Sequence, residues 1–550
     1  MGDVKSPEDG AKVYGEVCTR KQRRKRQKLL LIELLYEYAK NSTLHGLRYI
    51  VERSFHLIEK TFWLLTFLAS VGMCFYLISN VWIKWKTSPV IVSFSERVVP
   101  VGDVPFPAVT ICPQLKAKAS IFNFSDEYQK YLKLKENGTD PTPSQWESWI
   151  KLDDVDMLCG KDVAEIDLTR DLGNSSMIEN FLEVAPTEED VIIGCVFRGE
   201  PCNSFERVIT SDGVCYTFNA LAASEILRQE NVQQDYHYLE STRESKNWSI
   251  EGGYTGYSSD TYPRRGRENI ADPDLMVYLA ENPLDRDGLC NAIGSGYKIY
   301  IQHPADLPQA SLYYYAALPG QVSSIALKFS MVMTSDSLEG YSPDIRQCYF
   351  PSDRQLRYFR IYTPNNCRLE CRSNHTFSKC NCVWYHMPHN DSRQICVSDW
   401  DTSCMKQSLD ELSVAELEAN VDGINASACQ CLPSCDSVQY DAEILKTDFK
   451  IQSLLKNMEA IHNTSTYYSS LNISKIELYF KEPRFVSMRR SELFGVTDFL
   501  ANCGGLLGLF LGFSILSAVE IFYFLTFRLC FILKRDLREE KVNREREKEN

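Results

Sequence analysis

Residues able to do chemistry crowd into one apolar segment: Gly504, Gly505, Gly508 and Gly512, the hydroxyls of Ser514 and Ser517, and the carboxylate of Glu520. From Phe499 to Phe527 the only charge is Glu520, so the stretch is long enough to span a bilayer. Its glycines, serines and acid make it a poor lipid-only anchor. Small residues let helix backbones approach closely, and a charge at the bilayer centre costs about 3 kcal/mol on insertion scales. Such a helix should face other helices or water, which leaves two readings: a helix-packing interface or the lining of a pore. A second constellation is Cys380-x-Cys382 followed by His386 and His389, thiols and imidazoles at zinc-like spacing. Matched cysteines in the same loop favour disulfides over a metal, which makes both histidines ordinary surface residues.

The elements that must position these groups begin with a second apolar run. Thr61 to Ile83 carries no charge and lies between Lys60 and Lys84, so it spans as well. It starts too far from the N-terminus to be a cleaved signal peptide. The chain therefore divides into an N-terminal tail (1–60), a first span (61–83), a large loop (84–492), a second span (493–533) and a C-terminal tail (534–550). Charge orients it weakly: Arg48, Arg53 and Lys60 flank the first span on one side, Lys84 and Lys86 on the other. The basic cluster from Arg20 to Lys28 is too distant to weigh much and reads as a solvated or lipid-surface patch.

Cysteines and sequons decide the orientation. Sixteen of the 20 cysteines lie between the spans, an even number that reads as a disulfide framework in an oxidising compartment. The same loop holds nine Asn-x-Ser/Thr sequons, at Asn123, Asn137, Asn174, Asn247, Asn374, Asn390, Asn425, Asn463 and Asn472. The expected arrangement is a multi-pass plasma-membrane protein with an extracellular loop and both termini cytoplasmic, so the sequon at Asn41 stays unmodified. Strand-like runs (Ser324 to Val332, Asp441 to Lys446, Lys475 to Phe480) mix with helical ones (Leu409 to Ala419, Ile451 to Ile461). The fold class is thus a membrane protein whose two transmembrane helices flank a large disulfide-rich α+β extracellular domain. Ser241 to Arg267, polar and rich in Gly and Tyr, reads as an exposed loop or insertion.

Composition excludes several functions. A formal net charge of −13 argues against a nucleic-acid partner, which needs a basic face. There is no nucleophile elbow, metal-protease helix or phosphate loop, so an enzyme is not expected, nor a cofactor or metal.

Several motifs then point one way. Leu44-His45-Gly46-Leu47, Phe106-Pro107-Ala108-Val109-Thr110-Ile111-Cys112 and Cys215-Tyr216-Thr217-Phe218-Asn219 occur in order. They are followed by Cys367-x3-Cys371, Cys380-x-Cys382, Cys429-x-Cys431-Leu432-Pro433-x-Cys435 and Gly512-Phe513-Ser514. In order and spacing, from about Ser42 to Phe527, the chain resembles the degenerin/epithelial sodium channel family, in flavour the invertebrate pickpocket branch with acid-sensing channels as relatives.

The resemblance implies pairing of Cys112 with Cys215, Cys195 with Cys202, Cys348 with Cys435, Cys367 with Cys431, Cys371 with Cys429, Cys380 with Cys404, and Cys382 with Cys396. Cys159 and Cys290 are left as an additional pair. It also implies a homo- or heterotrimeric channel, voltage-independent, sodium-selective and amiloride-sensitive, opened by an unknown extracellular ligand or other stimulus. Its partners would be sodium ions, membrane lipid and related subunits. Gly512, Phe513 and Ser514 would form the selectivity filter, with Phe513 either constricting the axis or packing behind it. Ala501, Gly505, Gly508 and Glu520 would line the pore and gate, Ala501 at the position where a small side chain is needed for closure. Glu520 would concentrate cations or serve a polar group as partner. His45 and Gly46 would form a cytoplasmic gating motif below the filter. Few histidines lie in the loop (His237, His303, His375, His386, His389, His462), although perturbed carboxylates can also sense acid. An ATP-gated channel would need another cysteine pattern and a basic nucleotide site. A non-conducting or auxiliary receptor subunit of the same fold remains the alternative.

Overall fold

A computed structural model describes residues 29–87, 90–138, 140–159, 166, 176–202, 205–233, 243–256, 260–266, 272–290, 294–310, 313–421, 429–453 and 470–549. These form two compact units, one from the chain ends (to Ile91 and from Glu492) and one from Val92–Ser491.

In the terminal unit the first span is a helix, Leu57–Thr87, with a mean hydropathy of 1.9 over its most apolar stretch. Apolar side chains such as Phe62, Leu65, Leu68 and Phe75 stand exposed along it, as lipid-facing residues must. The second apolar segment is not one helix. It runs as Val496–Leu511, breaks over Gly512 to Ser514, and resumes as Ile515–Tyr523. The resumed helix passes through a five-residue π-helical turn (Phe524–Arg528) into Leu529–Glu549. Residues 29–41 form a further helix, and Leu47–Val51 a short one.

The Val92–Ser491 unit is built on two sheets. The larger centres on Gln321–Thr334, which pairs antiparallel with Ser437–Asp448 and parallel with both Asn472–Phe480 and Arg484–Glu492. The smaller is antiparallel, in the order Tyr315–Ala317, Tyr297–Gln302, Ala108–Pro113, Gly213–Phe218, Phe205–Thr210. Ala108–Pro113 and Gly213–Phe218 are buried at every position, which explains why both read as unbroken apolar-rich motifs rather than alternating strands. The three strand-like runs of the sequence fall inside strands, and Leu409 to Ala419 inside the helix Asp399–Val421. Most of Ile451 to Ile461 lies outside the described residues.

Eight disulfides fasten this unit. They join Cys112 to Cys215, Cys159 to Cys290, Cys195 to Cys202 and Cys348 to Cys435. The rest join Cys367 to Cys431, Cys371 to Cys429, Cys380 to Cys404 and Cys382 to Cys396. Three are nested, tying Pro364–Cys380 and the chain before it to the Cys429–Cys435 segment.

Cys380 and Cys382 both sit in disulfides, as the sequence favoured, so no thiol is left for zinc at that spacing. Two sequence expectations need correction here. His386 and His389 are not surface residues but 6% and 1% exposed, packed under the Pro364–Cys380 helix where Ser373 donates to Pro388 O. The Ser241 to Arg267 stretch is only partly an exposed loop. Trp248–Ser249 and Gly253–Tyr254 pair as a hairpin, and Tyr262 and Arg265 are buried. The reason is hydrogen bonding that its sequence does not advertise: Tyr262 donates to Ala220 O, Arg265 to Gly102 O and Gly256 O, and Phe106 N to Arg264 O.

Candidate functional site: a broken spanning helix and the N-terminal turn that holds it

The break at Gly512 has a local cause. Gly512 adopts φ +64°, the left-handed conformation that ends helices and that only glycine takes without cost. Its N–H donates to Gly508 O at 2.9 Å and the Phe513 N–H to Leu507 O at 3.2 Å, a reciprocal pair that closes the helix end. The restart is equally local. Ser514 caps Ile515–Tyr523, its Oγ accepting from Ser517 N at 3.2 Å, while Ser514 N donates to Ser517 Oγ at 3.1 Å. Gly512 and Phe513 therefore lie outside both helices, inside an apolar segment where a backbone polar group without a partner would cost several kcal/mol.

What supports the break comes from the other end of the chain. The His45 N–H donates to Leu511 O at 3.0 Å, satisfying one of the carbonyls left free where the helix stops. Thr43 Oγ1 lies 2.8 Å from the buried Ser517 Oγ and donates to Glu520 Oε2 at 2.9 Å; its N–H donates to the same oxygen at 3.4 Å. Gly46, with φ +90°, turns the segment back, close to Phe67 of the first span. Below, Arg528 forms an ion pair with Glu37 at 2.7 Å and Tyr38 meets Phe524 edge-on at 5.4 Å. The 29–41 helix is thereby fixed against the π-helical turn. Asn41, the sequon outside the large loop, donates its amide to Glu37 O.

At the opposite end the two spans are joined by aromatics. Trp85 stacks on Phe499 at 5.0 Å and donates from its indole to Phe494 O at 3.1 Å, while Lys84 lies over the Phe494 ring. Ala501, Gly505 and Gly508 all stand exposed and share one helix face at i, i+4 and i+7, on the helix that Gly512 ends. A Cβ at Gly505 would meet nothing within 4 Å, so this stripe of small residues is uncovered in the single chain.

His45, Gly46, Gly512, Phe513, Ser514 and Glu520 are thus brought to one place, and Ala501, Gly505 and Gly508 lie on the helix above it. Sequence reading missed Thr43 and the Leu511 carbonyl, and it singled out Ser517 without assigning it a partner. Ser514-x-x-Ser517 was readable as a capping pair, but nothing in the sequence couples Thr43 to residues 474 positions away.

In the Val92–Ser491 unit, of the sequon asparagines, Asn123, Asn137 and Asn247 are exposed, and Asn374, Asn390 and Asn472 are half-buried. Asn174, Asn425 and Asn463 lie outside the described residues. Burial, aided by Arg372, pushes the His386 imidazole down to about 3, so it is neutral throughout the physiological range. Burial also lowers His303, against the pull of Asp306.

Known proteins match nearly the whole length of this sequence. Residues 38–524 match the family described as amiloride-sensitive sodium channel. Pickpocket protein 28 of Drosophila melanogaster is 30% identical over 522 residues, covering 92% of this chain and 80% of that protein. Acid-sensing ion channel 2 of Homo sapiens is 24% identical, covering 88% and 84% respectively. Acid-sensing ion channel 1 of Gallus gallus is 22% identical, covering 90% and 84%. The broken second span, the disulfide-rich unit between the spans and the match over nearly all of that length have one meaning: the chain belongs to the amiloride-sensitive sodium channel family, as an ion-channel subunit.

Proposed function

We propose that three such subunits, identical or related, surround a pore selective for sodium and blocked by amiloride, opened by an extracellular stimulus rather than by voltage. The observation that carries this reading is the Gly512-Phe513-Ser514 break, a non-helical stretch inside an apolar span, held by main-chain and hydroxyl groups of Thr43 and His45. Irregular backbone at membrane depth is tolerated where it lines a water-filled path or is buried in protein. A ring of oxygens from Gly512 to Ser514 suits a hard, partly dehydrated monovalent cation. The uncovered stripe of Ala501, Gly505 and Gly508 supplies the close approach that three second spans around an axis require. Glu520 is tied to Thr43, so its carboxylate holds the supporting segment and adds negative potential below the break. The disulfides and sequons support a reading with the large domain outside the cell and both tails in the cytoplasm.

Phe513 at the middle of the break favours one second reading, an auxiliary subunit that conducts only with partners. Voltage clamp of oocytes expressing Ala501→Val, with sodium replacement, amiloride and surface labelling, separates the two. A larger side chain on the small-residue face should hold the pore open and give an inward, amiloride-blocked sodium current. Silence at confirmed surface delivery, alone and with every related subunit tried, would refute the conducting reading.

A further inference from the structure

We propose that the cavity between the Trp248–Tyr254 hairpin and the strands Gln321–Thr334 and Ser437–Asp448 is a binding site for a small aromatic organic cation. Its volume of about 660 Å³ lies in the range of pockets that enclose small ligands. Trp248, Ile250 and Tyr254 form one wall, and Met331, Met333 and Val438 the other, a mixture of rigid aromatic faces and adaptable thioethers. Met331 and Val438 are direct partners in the strand register, so the second wall is part of the central sheet itself.

Charge selects the ligand. Four carboxylates border the space, those of Asp103, Glu251, Asp306 and Asp436, against the guanidiniums of Arg265 and Arg368. Arg265 is already committed: it donates to Gly102 O and Gly256 O and lies 3.8 Å from the centre of the Tyr254 ring. That contact shows that this wall accepts a cation over an aromatic face. Arg368 donates to Asn365, whose amide in turn donates to Asp306 Oδ2 at 2.7 Å, which orients the buried carboxylate. His303 accepts from Ala305 N at Nδ1 and stands 6.2 Å from Trp248, and burial keeps it neutral, so it adds no charge against a cation. An amine or guanidine with an aromatic body gains a carboxylate partner and an indole face together. An anion of the same shape meets four like charges.

Occupancy has a route to consequence in the same sheet. Val332–Thr334, continuing from Met331, pair with Met488–Arg490 in Arg484–Glu492, which in sequence directly precedes the helix Val496–Leu511. As a site for the stimulus the cavity rests on the channel reading, but binding itself is measured without current.

The test uses the purified full-length protein in lipid nanodiscs with radiolabelled 2-phenylethylamine as the probe. Saturable binding is expected, displaced by unlabelled amine but not by the neutral isostere 2-phenylethanol or by phenylacetate. Asp306→Asn and Trp248→Leu should each weaken it about tenfold or more, the scale of a desolvated cation–π or charge-assisted contact. Asp103→Asn, at an exposed rim position that asks nothing of folding, should weaken it less, and all three should retain the wild-type gel-filtration profile. Absence of saturable binding to wild type overturns the proposal, as does equal competition by 2-phenylethanol, or affinity unchanged in Asp306→Asn and Trp248→Leu. The last result would place the amine elsewhere, the pore included. A chain that binds but carries no current would fail the channel reading and keep the site.

Discussion

A side chain on Gly512 would have to occupy the space of His45: a Cβ built there lies 1.6 Å from His45 Nδ1. The residue that breaks the second spanning helix is therefore held by a residue nearly the whole chain away. Any substitution at Gly512 meets two penalties, the left-handed φ and the imidazole.

Gly512→Ala should accordingly abolish sodium current in the Ala501→Val background while leaving surface delivery intact. Adding His45→Ala removes the collision but not the backbone strain, about 1 kcal/mol for a non-glycine residue in that conformation. Partial recovery of current in the double variant is the expected result. A Gly512→Ala channel with unchanged current and selectivity would show that the break does not set conduction.

Thr43→Val keeps the size of the side chain and deletes the hydroxyl that joins Ser517 to Glu520. Selectivity for sodium over potassium, read from reversal potentials, should fall. In a double-mutant cycle with Glu520→Gln, the two changes should couple by about 1 kcal/mol, the net worth of a hydrogen bond to a charged group in partly wet surroundings. Strict additivity would mean that the bond does not bear on permeation.

Stability of the disulfide framework can be read at Cys159 and Cys290, which close the longest separation among the eight pairs, 131 residues. Cys112–Cys215 already shortens the effective loop, so the Cys159→Ser/Cys290→Ser double variant should lose about 2–4 kcal/mol, seen as a lower Tm of the purified protein. Single variants should misfold more, because each leaves a reactive thiol. An unchanged Tm in the double variant would mean that this bridge is redundant.

His386 gives a pH dependence of definite sign. In the unfolded chain it titrates near 6.5, and in the folded protein near 3. Between those values the unfolded chain binds a proton that the native one refuses, so stability that is full above about 6.5 declines as pH falls toward 3. From pH 7.5 to 5 the loss from this one residue is about 2 kcal/mol. His386→Gln should lose less Tm than wild type over that interval. Parallel losses would show that other groups carry the acid sensitivity.

Much of this was legible in the primary structure, for physical reasons that act locally. Two apolar runs of bilayer length have few other places to go, and an even set of cysteines crowded between them requires an oxidising compartment. Gly512 as a helix end and Ser514 as a cap follow from residue type within a few positions. The alternation along Gln321–Thr334 and Asn472–Phe480 exposed them as strands. What the sequence could not contain is distance between residues far apart in the chain. His386 and His389 read as surface because two polar residues in a loop ordinarily are; only the packing of the Pro364–Cys380 helix buries them. The Ser241 to Arg267 stretch read as an exposed loop or insertion because the partners of its Tyr262 and Arg265, Ala220 and Gly102, are remote in sequence. Glu520 could have been a free charge in a pore, and it is the Thr43 hydroxyl, brought back by the turn at Gly46, that makes it a fastening. Periodicity and residue type determined the elements, and tertiary structure decided which of their polar groups meet.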